Sequence, residues 1–259
     1  TALATVGIDG ATVGDCLQKV GYDGTAPCGN PRVHAYVELH IEQGPVLDAE
    51  GITIGAVEGV QGISWTEFTV TGVSNHAGTT PLRLRHDAGY VACAIANKAR
   101  EIARALGGDQ VATVGALDLS PNLVNVIANK AIFTVDLRNT DEALLQEAER
   151  LLHAFVDAIA MAEGVTITHR TLARFAPVAF DPLVVNLVED TARQLGHSVR
   201  RMPSGAGHDA QMLARICPAG MVFVPSVGGI SHNVREFTQP ADIEAGANVL
   251  LQTVLRLAS

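Results

Sequence analysis

The sequence lacks the features that mark several large classes of protein. It contains no uninterrupted apolar run of about 18 residues, so we expect no membrane-spanning helix. Lys and Arg total 18 against 27 Asp and Glu and form no cluster, which argues against nucleic acid as a partner. The four cysteines have no CxxC spacing, and we interpret them as reduced thiols of a cytoplasmic protein.

Compact metal-binding motifs are missing too. We find no HExxH, no H-x-D and no Glu-Glu pair, so a metal site must combine residues that lie far apart in the sequence. The two best candidates are His40, in the alternating segment Glu38–Gly44, and His232, in the small-residue segment Gly228–Asn233. Imidazole nitrogens are common metal ligands. The alternative for His40 is a buried histidine that is hydrogen-bonded to Glu42.

Residues 62–173 show the periodicity of a compact β-α-β-β-α-β unit. Both helices begin at an aspartate that can cap them, Asp87 and Asp141. We therefore predict a ferredoxin-like fold, with a four-stranded antiparallel sheet and two helices on one face. The predicted elements in chain order are 63–71, 87–106, 111–119, 130–138, 141–163 and 165–172.

The remaining residues predict an α/β domain that this compact unit interrupts. Its strands are short and apolar, as in a buried parallel sheet, but they are too few to complete one, which indicates a missing segment. We expect residues 1–61 and 178–259 to form this domain and residues 62–177 to form the inserted one. The predicted strands are 33–41, 52–57 and 220–224, and the predicted helices are 12–20, 181–195, 207–216 and 241–257.

Three segments place polar side chains where a ligand can reach them. Gln43 follows His40 at the end of a strand, and ligands gather at the carboxyl ends of strands in open α/β sheets. His76 lies among small residues, where its imidazole can stabilise an oxyanion; the alternative is a histidine that caps a surface loop. Gly207 and His208 lie in a turn into a helix, whose N–H groups can face an anion.

Asn125 and Arg138 flank a strand pair of the compact unit. Arg138 ends the segment Val-Asp-Leu-Arg, where a guanidinium can bind a carboxylate in a bidentate manner. The alternative is an ion pair between Arg138 and Asp136 or Asp141. Residue spacing alone does not decide between carboxylate binding and such an ion pair.

Six motifs, in a fixed order, cover nearly the whole chain. They are ELHIEQGPVL (38–47), NHAGTTP (75–81), PNLVNV (121–126), VDLR (135–138), SGAGHDAQ (204–211) and GISHNVREFT (229–238). In these motifs the chain resembles the zinc-dependent amidohydrolases of the hydantoinase/carbamoylase type. That group contains N-carbamoyl-L-amino-acid hydrolases, allantoate amidohydrolases and β-ureidopropionases.

The resemblance implies a metallopeptidase-like α/β catalytic domain with two divalent metal ions, interrupted by a ferredoxin-like lid that also forms a homodimer. It implies that His40 binds one ion and His232 the other, with zinc expected and manganese, cobalt or nickel as alternatives. Gln43 would contact the ureido group of the substrate. His76 would be catalytic and would polarise the carbonyl that is attacked.

The resemblance also implies how a small ureido acid would be held. Asn125 and Arg138 would bind its carboxylate, and Gly207 and His208 would line the same pocket. Residues of the lid would reach the site of the partner subunit. The expected reaction is hydrolysis of an N-carbamoyl-L-amino acid, with allantoate as the alternative substrate.

The chain departs from this group at its start. The first metal-binding histidine, the bridging aspartate, the next glutamate ligand and the general-base glutamate of these enzymes would precede residue 1, and the chain does not begin with Met. We therefore expect an amidohydrolase whose 259-residue chain is inactive by itself. An alternative of another class is a truncated module that only dimerises or binds a ligand. A third is an enzyme of two chains, whose second polypeptide would copurify.

Overall fold

The computed structural model describes residues 2–7, 9–26 and 32–259. Cys28, one of the four cysteines considered above, lies outside these residues. The chain divides into two compact units, residues 1–34 and residues 35–259. No helix of the described residues is long and apolar enough to cross a membrane.

The first unit contains one α-helix, α1 (Val13–Val20), which forms where the sequence predicts it. Thr12 and Asp15 make a capping box: the N–H of Asp15 donates to Thr12 Oγ1 at 3.0 Å, and the N–H of Thr12 donates to Asp15 Oδ2 at 3.1 Å. Gly21 ends the helix with φ at 71°. No residue of α1 is buried, and both of its ends are capped.

The second unit contains two sheets, each with helices packed against it. Its elements in chain order are β1 (Tyr36–Ile41), α2 (Val46–Glu50), β2 (Ile54–Val60), β3 (Gly62–Thr71), α3 (Ala88–Leu106), β4 (Val111–Thr113), β5 (Leu117–Ser120), β6 (Lys130–Asn139), α4 (Glu142–Glu163), β7 (Thr166–Phe175), β8 (Val178–Ala179), α5 (Pro182–Gln194), β9 (Val199–Ser204), α6 (Asp209–Leu213), β10 (Ala219–Val224) and α7 (Pro240–Leu257).

The first sheet has the order β1-β10-β2-β9, and β8 also pairs with β2. Strands β1 and β10 are parallel, β2 runs antiparallel to β10, and β9 is parallel to β2. The sheet is thus mixed, and the prediction of a parallel sheet with only two or three strands is wrong. The sequence reading missed α2, β8 and β9 because two of them are very short and β9 carries adjacent arginines.

Alternate residues of β10 pack on opposite faces of this sheet. Val222 and Val224 join the apolar cluster beneath α5 and α7, whereas Met221 and Phe223 join a cluster with residues of α2 and α6. Since β1 is parallel to β10 and pairs His40 with Phe223, its Glu38 and His40 side chains lie on the α6 face. The strand register therefore decides which face carries the candidate site.

The second sheet is antiparallel, with the order β4-β6-β3-β7 and with β5 also paired to β6. Helices α3 and α4 pack on one face, around Phe68, Phe133 and Leu152. The predicted strand 111–119 is two strands instead of one. Val111 pairs with Arg138 and Leu117 pairs with Phe133, so the register shifts by one residue between β4 and β5 and the strand is interrupted there.

The two sheets are joined by two short connections that lie side by side. Gln61 alone separates β2 from β3, and its backbone N–H donates to the carbonyl of Ser204 at 2.9 Å. The second connection is residues 176–177, between β7 and β8, and a Cβ on Gly62 would lie 2.7 Å from Pro177 Cδ, so the two connections are in contact. The division into residues 1–61, 62–177 and 178–259 stays a prediction.

Candidate metal and substrate site

The carboxyl ends of β1 and β10 lie next to each other and carry the candidate site. The turn after β1 holds Gln43, and the loop after β10 holds Ser226 and His232. The backbone N–H of Gln43 donates to Ser226 Oγ at 3.1 Å, which ties the turn to the loop. This is the edge of an α/β sheet at which ligands bind.

Gln43 and His232 meet between these two segments. Gln43 Nε2 lies 3.3 Å from His232 Nε2 and donates to Ser231 Oγ at the same distance. Both residues have a left-handed backbone, with φ at 58° for Gln43 and 54° for His232. Side chains other than glycine rarely adopt this conformation, and such strain concentrates at functional sites.

The ring of His40 is oriented by a backbone carbonyl. Its Nδ1 lies 2.8 Å from the carbonyl oxygen of Ile41, so Nδ1 carries the proton and Nε2 keeps its lone pair. Glu42 does not bond to this ring: its carboxylate accepts the N–H groups of Val46 and Leu47 at 2.9 and 2.8 Å and begins α2. The alternative that paired His40 with Glu42 is therefore wrong.

Next to His40, on the same face of the sheet, lie Glu38 and His208. The rings of His40 and His208 are 4.6 Å apart between centroids, and His208 Nδ1 is 3.6 Å from Glu38 Oε1. Burial lowers the pKa of His208 to about 4, and nearby His40 acts in the same direction. His208 is consequently neutral at physiological pH.

Glu38 and Ser204 hold the turn that contains Gly207 and His208. Glu38 Oε2 accepts the backbone N–H of Ala210 at 2.8 Å. The N–H groups at the start of α6 thus face the carboxylate of Glu38. Ser204 Oγ lies 2.8 Å from His208 Nε2. His208 is buried, whereas Gly207 is exposed.

A cavity of about 730 Å³ separates the two sheets at this edge. Gln43 and His232 line it from the first sheet, and Arg138 lines it from the second. Gly205 and Ala206 also line it, whereas Gly207 and His208 do not. The cavity therefore brings together three of the predicted site residues.

Arg138 is held in place by three neighbours. It forms a bidentate pair with Asp136, with distances of 3.0 Å from Nε and 2.7 Å from Nη2, and Nη1 donates to the carbonyl of Gly205 at 2.6 Å. Its guanidinium lies over Trp65, 5.7 Å from the ring centroid. The pairing with Asp136 that the sequence left open is thus formed. Guanidinium has five N–H donors, so these contacts leave donors for a ligand.

His76 and Asn125 lie together but do not line this cavity. The N–H of Ala77 donates to the carbonyl of Asn125 at 2.9 Å, which joins their two loops. His76 Nδ1 accepts the N–H groups of Gly78 and Thr79 at 3.1 and 3.3 Å. The ring thus caps an exposed loop, as in the alternative interpretation, and its Nε2 has no hydrogen bond among the described residues.

Sequence reasoning missed Glu38 and Ser204 as neighbours of the site. Glu38 precedes His40 by two residues in an alternating strand, so their common face was visible in the sequence. His208 contacts both Glu38 and His40, but it lies 168 or more residues further along the chain, and only the tertiary fold brings it close.

Comparison with known proteins assigns this arrangement to a family. A sequence profile of peptidase family M20/M25/M40 matches residues 9–256. The chain belongs to this family. The N-carbamoyl-L-amino-acid amidohydrolase of Rhizobium meliloti is 40% identical over 250 residues, which is 96% of this chain and 60% of that protein.

Two further relatives agree with this assignment. The allantoate amidohydrolase of Escherichia coli is 38% identical over 226 residues, 87% of this chain and 55% of that protein. A crystal structure of an amidase of the hydantoinase/carbamoylase family from Burkholderia multivorans superposes with a TM-score of 0.93 at 44% identity, over 99% of this chain and 62% of that one. The chain thus spans about 60% of the length of the relatives it matches, and the predicted family is confirmed.

Proposed function

We propose that this protein hydrolyses the ureido C–N bond of N-carbamoyl-L-amino acids with the help of divalent metal ions. The observation that carries the proposal is the cavity that Gln43, His232 and Arg138 line together, because it offers an amide, an imidazole and a guanidinium to one small ligand. The amidohydrolases among its relatives support the choice of reaction.

Divalent metal ions fit the donors at this edge of the sheet. Since Nδ1 of His40 donates to the carbonyl of Ile41, its Nε2 is free to coordinate an ion, as in many metal-binding histidines. His232 would hold a second ion. Ions held there would supply the Lewis acidity that activates water and polarises a carbonyl. Zinc is the proposed ion, with manganese, cobalt or nickel as alternatives.

Arg138 and Gln43 would orient the substrate. The pair with Asp136 and the bond to Gly205 fix the guanidinium at the cavity wall, with donors left for the substrate carboxylate. The amide of Gln43, fixed against Ser231, would contact the ureido group. Such fixed donors lower the entropy that binding costs.

His76 and Asn125 would act on a second copy of the chain. Both are exposed, share one pair of loops and lie outside the cavity of their own chain. We propose a homodimer through the second sheet and its helices, in which His76 polarises the carbonyl and Asn125 contacts the carboxylate in the site of the partner subunit.

The test is ammonia release from a panel of ureido acids. We would compare the 259-residue chain with the whole product of the gene that encodes it, each with added zinc or manganese. We expect hydrolysis by the whole product and none by the chain alone. A whole product that leaves every N-carbamoyl amino acid and allantoate intact with either metal would overturn the proposed function.

Allantoate is the second candidate substrate, and the Escherichia coli relative favours it. Both substrates carry a carboxylate and a ureido group, so Arg138 and Gln43 suit either. The ratio of kcat/KM for allantoate to that for N-carbamoyl amino acids in the same panel decides between them. Equal intact mass of the cellular protein and of this chain, with no hydrolysis, would favour the inactive module instead.

A further inference from the structure

We propose that Glu38, His40 and His208 form a complete three-donor site for a divalent transition-metal ion within this chain. This set differs from the one that the family resemblance implies, in which His208 contacts substrate and Glu38 has no role. A catalytic use of this ion depends on the metal-dependent hydrolysis proposed above. The binding of the ion depends only on the geometry of the three side chains.

Three ligand atoms, one from each residue, lie within 4.8 Å of one another. Glu38 and His40 are two residues apart on β1 and so project from the same face of the sheet. His208 enters from the turn before α6, and its side chain is only 2% exposed. Two imidazoles and one carboxylate are a frequent ligand set for zinc.

His40 and Glu38 each have one polar side-chain atom that is already bonded elsewhere in the chain. Nδ1 of His40 donates to the carbonyl of Ile41, and Oε2 of Glu38 accepts the N–H of Ala210. These bonds orient both side chains and leave Nε2 of His40 and Oε1 of Glu38 for another partner. This is the arrangement by which outer hydrogen bonds fix metal ligands.

The proton on His208 follows from the bonds of Ser204. The hydroxyl of Ser204 donates to the carbonyl of Ala206 at 3.0 Å, so it has no proton left for His208. Nε2 of His208 therefore donates to Ser204 Oγ at 2.8 Å, and Nδ1 keeps its lone pair. That lone pair faces Glu38 Oε1.

The distance between these two atoms supports an ion between them. His208 Nδ1 and Glu38 Oε1 are 3.6 Å apart, which is too long for a hydrogen bond. Two ligands bound tetrahedrally at about 2.1 Å from zinc lie roughly 3.4 Å apart. Two lone pairs that face each other in a buried place repel, and a cation between them removes the repulsion.

The test is metal binding by the purified chain after removal of metal with a chelator. Zinc would be titrated by calorimetry, and cobalt by its visible absorption, which reports tetrahedral coordination. We expect one zinc ion per chain. We expect at least a tenfold weaker affinity in Glu38→Gln and in His208→Gln, because each loses one ligand. Gln at position 38 retains an oxygen for the N–H of Ala210, so α6 keeps its start.

The matched control is His232→Asn, since asparagine tolerates the left-handed backbone that His232 has at φ 54°. We expect its first zinc ion to bind within threefold of the unaltered chain. A second control is His76→Asn in its exposed loop. Circular dichroism melting of each variant without metal separates loss of a ligand from loss of the fold.

Two outcomes would overturn the inference. The first is that the chain binds no metal, or that the Glu38→Gln and His208→Gln variants bind zinc as tightly as the unaltered chain. Either result would mean that His208 Nδ1 carries the proton. The second is weakened binding in His232→Asn, which would assign the ion to the pair His40 and His232. Neither outcome would contradict the proposed function, because ammonia release by the whole gene product tests that function separately.

Discussion

Gln43 and His232 are 189 positions apart in the chain, yet their Nε2 atoms lie within 3.3 Å and both have a left-handed backbone. Neither residue is a glycine, so neither residue type favours this conformation by itself. Contacts of Gln43 with Ser226, Ser231 and His232 join the turn after β1 to the loop after β10. The strain falls on Gln43, which is proposed to contact the substrate, and on His232, which is proposed to bind a metal ion.

The contact between this loop and Pro45 can be tested at two adjacent glycines. Both have positive φ, 64° for Gly228 and 67° for Gly229, but a Cβ on Gly229 would lie 2.7 Å from Pro45 Cα, whereas one on Gly228 meets only Ile230 at 3.7 Å. We expect Gly228→Ala to lower the free energy of unfolding by about 1–2 kcal/mol. Gly229→Ala should lower it by about 1–3 kcal/mol more. Urea unfolding measures both, and equal losses would show that the packing against Pro45 contributes nothing.

A substitution that keeps the positive charge can test whether the guanidinium geometry of Arg138 binds the substrate carboxylate. Arg138→Lys keeps the positive charge but loses the bidentate pair and the geometry that reaches the carbonyl of Gly205. In the whole gene product we expect at least a tenfold higher KM for N-carbamoyl-L-alanine. Arg170→Lys is the control, because Arg170 also pairs in a bidentate manner, with Glu67 on the same sheet, but is exposed and away from the cavity. A KM that changes equally in both variants would contradict a carboxylate-binding role.

His153 should make the stability of the second sheet depend on pH. Burial lowers the pKa of His153, and nearby His169 acts in the same direction, whereas Asp157 and Glu149 oppose them. Between the ordinary pKa of histidine, about 6.5, and the lower folded value, the unfolded chain binds more protons. The free energy of unfolding therefore falls as the pH is lowered through this window, and the loss is absent above it.

The measurement is urea unfolding at pH 8 and pH 5. His153→Gln cannot titrate, so we expect a smaller loss of stability between the two pH values than in the unaltered chain. His169→Gln should also reduce the loss, because it removes one of the causes of the shift. An unchanged loss in His153→Gln would assign the pH dependence to other groups.

A site shared between two subunits makes a quantitative prediction for mixed dimers. If His76 acts in the partner's site, His76→Asn and His232→Asn are each inactive, but a dimer with one subunit of each has one intact site. Coexpression in equal amounts should then restore about a quarter of the unaltered hydrolysis rate, since half of the dimers are mixed. The control is coexpression of His76→Asn with Asn125→Ala. It should restore no activity, because both residues are proposed to act in the partner's site, so each site of a mixed dimer has one of the two changes.

Most helices were predictable because residues next to their ends cap them. Asp87, Asp141 and Asp181 each accept N–H groups at the first turn of a helix, as their positions in the sequence indicate. The short elements were not. Helix α2 has five residues and starts where the carboxylate of Glu42 accepts two N–H groups, and this bond is not visible in the apolar periodicity.

By itself the sequence determined the family, the order of the long helices and strands, and the residue types that can bind metal and carboxylate. Capping, periodicity and motif order are properties of neighbouring residues, so they can be read without coordinates. Only the tertiary structure decided that His208 joins Glu38 and His40, that Arg138 binds the carbonyl of Gly205, and that His76 lies outside the cavity of its own chain. These contacts join residues far apart in the chain, and they depend on the register of β1 against β10 and on the meeting of the two sheets, which no local pattern encodes.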